Sequence, residues 1–119
     1  VMGCGRLFEG TPAQMYASLQ KTAEMPPQTR IYSGHEYTAS NASFATTVDP
    51  VNPALMSRIK DIEDKRANGL STIPSTLELE RETNPFLRAD NPEIQEHLNL
   101  TGASPVEVFT EIRARKDRF

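Results

Sequence analysis

Apolar residues recur three or four positions apart along most of this chain and gather into a strand at one place only. Met15, Tyr16, Leu19 and Ala23 share a helical face, and Thr11-Pro12-Ala13-Gln14 supplies its start: a Thr cap, Pro at the first position, Gln three after the cap. A helix is therefore predicted over 12–24, stopped by Pro26-Pro27. Arg30 to Ser33 reads as the one strand. Residues 39–48 are small and polar, with Phe44 and Val48 four apart, which predicts a helix of low intrinsic propensity that depends on packing. After Asp49-Pro50-Val51 the pattern changes. Asn52-Pro53 opens a helix with Leu55, Ile59 and Ile62 inward and a charged outer face, closed by Asn68-Gly69. Ile73-Pro74 is extended, and Ser75-Thr76-Leu77-Glu78 reads as a capping box for a short helix to about Glu82. Asn84-Pro85 interrupts. Asn91-Pro92 starts a helix with Ile94 and Leu98 inward, and Ser104-Pro105 starts the last, 105–117, with Val108, Phe109 and Ile112 as its stripe.

The composition narrows the classes. Within 119 residues the hydrophobic fraction is 37%, with nine prolines and no tryptophan, so the core is thinner than the length allows. A net charge of −3 is too small to argue for nucleic acid or an anionic membrane. No apolar run approaches the ~20 residues of a membrane-spanning helix. The single cysteine rules out an internal disulfide and fits a reducing compartment, the cytoplasm, with the mitochondrial matrix as the alternative. Val1-Met2 opens directly onto Gly3-Cys4-Gly5 and reads as the tail of a strand, so the chain is expected to be a piece of a longer protein.

Candidate chemistry centres on Ser33-Gly34-His35-Glu36-Tyr37-Thr38, where a glycine turns the chain after the strand and presents a histidine. A lone histidine cannot build a metal centre, and a hydrogen-bonded histidine at a strand end is the plainer reading. Cys4 between two glycines invites a nucleophile role with His35 as base, against that of a small structural residue. Arg113 and Lys116 lie on one face of the last helix, where cations also complement the helix dipole. Arg115 and Arg118 make an equivalent pair, so spacing alone leaves both open. His97 has no ligand-like neighbours and reads as structural or exposed.

Gly3-Cys4-Gly5-Arg6 with Phe8-Glu9-Gly10-Thr11, then Gly34-His35-Glu36-Tyr37-Thr38 with Asn41 and Phe44, carry a resemblance. Pro74-Ser75-Thr76-Leu77, Asn84-Pro85-Phe86-Leu87-Arg88 and the ending Arg115-Lys116-Asp117-Arg118-Phe119 extend it in order over the whole chain. Together they resemble glyoxalase II, the hydroxyacylglutathione hydrolases. The resemblance implies an α+β chain, itself mostly helical: residues 1–48 the last part of a metallo-β-lactamase αββα sandwich, residues 49–119 a helical glutathione-binding domain. It implies hydrolysis of S-D-lactoylglutathione to D-lactate and glutathione by hydroxide held on a pair of zinc, iron or manganese ions, a metal lowering the pKa of bound water.

By the same resemblance His35 is a metal ligand, and Arg113 and Lys116 grip the glycine carboxylate of glutathione with Arg6 assisting. Tyr37 contacts the peptide backbone, and Phe8 stands where many relatives carry tyrosine. The family's histidine-rich ligand motif, a further histidine and the bridging aspartate would all lie before Val1. The 119 residues alone are therefore expected to bind no metal pair and to show no hydrolase activity. A helical module docking a glutathione-like anion or a partner chain is the alternative. Self-association is expected through an exposed apolar face with Met15, Leu19 and Ile31.

Overall fold

The computed structural model describes residues 1–6 and 10–119; the expectation for Phe8 lies outside them. The described chain is mostly helical, with one two-stranded sheet. Its elements are α1 (Pro12–Ala23), β1 (Arg30–Ile31), α2 (Thr38–Val48), α3 (Pro53–Ala67), β2 (Ser75–Thr76), α4 (Leu77–Thr83), a 3-10 turn (Pro85–Leu87), α5 (Pro92–His97) and α6 (Pro105–Arg118).

Local chemistry accounts for most helix starts. The Thr11 hydroxyl accepts from the Gln14 amide while the Gln14 side chain accepts from the Thr11 amide, the reciprocal box expected from the sequence. Asn52, Asn91 and Ser104 cap α3, α5 and α6, each followed by proline at the first position. Gly69, at φ +69°, takes the left-handed conformation that ends α3.

Three expectations are corrected. The strand is Arg30–Ile31, not 30–33, and pairs antiparallel with β2, Arg30 opposite Thr76 and Ile31 opposite Ser75. Past Ile31 the Ser33 hydroxyl donates to the His35 carbonyl and accepts from the Val1 amine, which draws the chain off the sheet. The cap of α4 is Thr76, not Ser75: Thr76 Oγ1 accepts from the Leu79 amide, while the Ser75 hydroxyl accepts from Arg58. The apolar face of α1 is not left open either. Met15, Tyr16 and Leu19 are partly buried against the main core, and the Tyr16 and Phe109 rings lie 5.6 Å apart.

That core joins Phe44 and Val48 of α2 to Phe86, Ala89, Ile94, Leu98, Val108, Phe109 and Ile112. A second cluster sets Ala42 and Ala45 of α2 against Leu55 and Ile62 of α3 and against Met2. Because α2 is buried on two sides, its lack of a single apolar stripe and its weak propensity do not prevent a helix; packing supplies what the sequence lacks.

Candidate functional site

The wall of the site is the N-terminal segment, and it is laid onto the helices by side-chain donors. Asn41 Nδ2 of α2 donates to the Val1 carbonyl at 2.9 Å, and Asn84 Nδ2 donates to the Gly3 carbonyl at 3.2 Å. Arg113 Nη1 of α6 donates to the carbonyls of Cys4 (3.2 Å) and Gly5 (3.1 Å). The Met2 amide donates to Glu80 Oε2 at 3.0 Å, and the Met2 side chain is fully buried. Four carbonyls of this irregular stretch, those of Val1, Gly3, Cys4 and Gly5, and the Met2 amide thus find partners without a strand beside them.

Beneath Met2 sits a buried ion pair. Arg58 of α3 lies 2.9 Å from Glu80 of α4, both side chains 4% exposed. Arg58 also donates to Thr83 Oγ1 (2.6 Å) and Ser75 Oγ (3.0 Å), and Glu80 Oε2 accepts from Asn84 Nδ2 (3.0 Å) as well as from Met2. Sequence reasoning passed over both residues. A signal was there: Arg58 lies between Leu55 and Ile62 on the apolar stripe of α3, and Glu80 lies three from both Leu77 and Thr83. Opposite charges on the inward faces of two helices call for one another.

Between this wall, α2 and α6 runs a groove of about 710 Å³. Arg6, His35, Tyr37, Arg113 and Lys116, the five site residues drawn from the sequence, all line it, with Cys4 and Asn41. A smaller hollow of about 250 Å³ shares His35, Tyr37, Cys4 and Asn41. The His35 and Tyr37 rings stack at the mouth, centroids 4.9 Å apart and planes 5° from parallel. Both residues are exposed.

The cations differ in availability. Arg113 is buried and already committed: Nε and Nη2 donate to Asp117 Oδ1 at 3.0 and 2.7 Å, Nη1 takes the two backbone carbonyls, and the guanidinium lies over the Phe86 ring. Of a guanidinium's five N–H groups, this leaves one on Nη2 without a partner among the described residues. Lys116 has no carboxylate partner among the described residues; its ammonium lies 5.7 Å from the Phe44 ring centroid and 5.2 Å from that of Phe119. Burial, then the positive charges of Arg113 and Arg6, hold the Lys116 pKa below the ordinary lysine value, with Asp117 opposing. Arg115 and Arg118 instead pair with Glu111 on another face, so tertiary neighbours separate two pairs that spacing could not.

Cys4 and His97 are the remaining candidates. Burial pushes the Cys4 thiol up, against the hydrogen bond and charge of Arg113, its side-chain partner at 3.6 Å; a thiol kept protonated and not hydrogen-bonded to His35 makes a poor nucleophile. His97 is exposed, its Nε2 2.9 Å from the Thr47 carbonyl. Among the described residues no group of three or more His, Cys, Asp or Glu side chains could hold a metal ion. The described residues alone therefore do not fit the two-metal centre implied above. No helix among them is long and apolar enough to cross a membrane.

Comparison with known proteins places this chain in a family. Residues 36–119 match the family model described as the hydroxyacylglutathione hydrolase C-terminus. The chain is 60% identical to the hydroxyacylglutathione hydrolase of Ruegeria pomeroyi, 59% to that of Jannaschia sp. (strain CCS1) and 50% to that of Methylococcus capsulatus. Each match runs over 118 residues, 99% of this chain and 46% of the relative, so the chain spans about half the length of the curated relatives it matches. The chain belongs to the hydroxyacylglutathione hydrolase, or glyoxalase II, family.

Proposed function

We propose that this chain is the substrate-side portion of a thioester hydrolase that cleaves S-D-lactoylglutathione to D-lactate and glutathione. The single observation that supports it is the groove itself, which unites Arg6, Lys116, Tyr37 and His35 around a cavity of peptide size. An anionic tripeptide suits it: Arg6 and Lys116 offer charge, Arg113 offers its remaining Nη2 hydrogen and holds the wall, and Tyr37 offers a hydroxyl to the peptide backbone. Charge-assisted bonds of this kind contribute about 1.5–3 kcal/mol each where water is excluded.

His35, the histidine among the described residues that line the groove, is the residue that would hold a metal. A zinc, iron or manganese pair would supply the activated nucleophile, with its other ligands drawn from outside these 119 residues. In this reading residues 1–48 complete the hydrolase sandwich and 49–119 form the helical substrate domain. Binding and chemistry then separate in the isolated chain. Calorimetry with glutathione should show saturable binding, weakened about tenfold or more by Lys116→Ala, while S-D-lactoylglutathione is not turned over. Turnover by the 119 residues alone would overturn the division of labour. Absence of binding, or binding indifferent to Lys116 and Arg6, would overturn the assignment of the groove.

A further inference from the structure

We propose that Glu36 is a positioning residue: it ties the exposed His35–Tyr37 pair to the loop leaving α3, so that the helical body determines where the histidine stands. The inference rests on the reading of His35 as a working group of the groove. Side chains alternate through this stretch, His35 and Tyr37 exposed, Glu36 partly covered and Thr38 fully buried. The Glu36 carboxylate accepts from the Thr72 amide at 2.7 Å, the Thr72 hydroxyl at 2.6 Å and the Ser71 hydroxyl at 3.2 Å, with Arg66 Nη1 3.8 Å away. The Thr72 and Thr38 hydroxyls lie 2.6 Å apart. An ionised carboxylate has no hydrogen to give, so Thr72 directs its hydroxyl hydrogen to Glu36 and receives one from Thr38.

The turn is thereby held on both sides of Tyr37. His35 and Tyr37 make no side-chain hydrogen bond among the described residues; their rings touch each other. Their position follows from the backbone, and the backbone is anchored at 36 and 38 to a loop some 36 residues away in sequence. A glutamate needed only for solubility would point into water. This one gathers short, charge-assisted bonds directly behind the histidine.

The test is NMR on the 119-residue chain, comparing wild type with Glu36→Ala, Glu36→Gln and Thr72→Val. Expected for Glu36→Ala are loss of the His35–Tyr37 inter-ring cross-peaks and of the ring-current shift on the His35 protons. Exchange of the Thr72 amide should become about tenfold or more faster. The amides of Phe44, Phe109 and Ile112 should keep their protection. Glu36→Gln retains one accepting oxygen and should restore part of the stack, and Thr72→Val should lose part of it. A stack that survives both Glu36→Ala and Thr72→Val overturns the proposal. So does core protection that falls together with the stack in both, which would make Glu36 a general support of the fold. Neither glutathione nor metal enters the measurement, so its failure is distinct from failure of the groove as a substrate site.

Discussion

Replacing Arg58 with methionine tests how the N-terminal wall is held. The substitution keeps much of the side-chain stem and removes the charge, leaving the Glu80 carboxylate buried without a counter-ion. Breaking such a pair on one side costs about 3–5 kcal/mol, against about 5–15 kcal/mol for a whole domain. At about 4 °C of midpoint per kcal/mol, the thermal transition should fall by about 12–20 °C. Glu80→Leu should cost as much or more, since it strands the Arg58 charge and also the Met2 amide. The double variant is the discriminating one. With both charges gone, Thr83 still donates to the Leu79 carbonyl and Asn84 to that of Gly3, so the Met2 amide is the chief group left without a partner. Its cost is about 1–3 kcal/mol, well below either single change. Urea unfolding followed by far-UV circular dichroism reads all three, with a constant slope required for comparison. Additive losses would refute the reasoning, as would a loss under about 1 kcal/mol for Arg58→Met. Cys4 should also alkylate faster in Glu80→Leu, because Glu80 holds the Met2 amide and with it the wall that carries Cys4.

Two further outcomes concern the cations of the groove. Asp117, half-exposed, occupies Arg113 as an internal carboxylate; Asp117→Asn should tighten glutathione binding about two- to fivefold, read by calorimetry, and unchanged or weaker binding would contradict it. Lys116 should titrate below the ordinary lysine value of 10.5 because burial and the charges of Arg113 and Arg6 disfavour its ammonium. Its folded pKa is the lower one, so between that value and the unfolded one the unfolded chain binds more protons. Stability from this group therefore rises with pH across that window, while its attraction for an anion is lost there. Carbon-13 NMR of the reductively methylated chain measures the pKa, and a value at or above the ordinary one would refute the account.

What the amino-acid sequence determined by itself was local. Thr11, Asn52, Asn91 and Ser104 announce helix starts because a cap bonds to amides two or three residues on, and proline at the next position suits the same backbone. The stripes Leu55–Ile62 and Val108–Ile112 announce buried faces because burial follows the helical period. The motif residues were enough for the family, and for five residues that meet in one groove. Only the tertiary structure decided what each of the five is free to do. Ser75 lost its cap role to Thr76 because Arg58, 17 positions away, takes its hydroxyl. Arg113 is committed to Asp117 and to two backbone carbonyls more than a hundred residues distant, while Lys116 lines the groove without a carboxylate partner among the described residues. Glu36, an ordinary surface residue by its pattern, is bound from behind by Thr72. Asp117 apart, which lies one helical turn from Arg113, the competing partners are remote in sequence, and hydrogen bonds are awarded by proximity in space, which periodicity and capping rules do not encode.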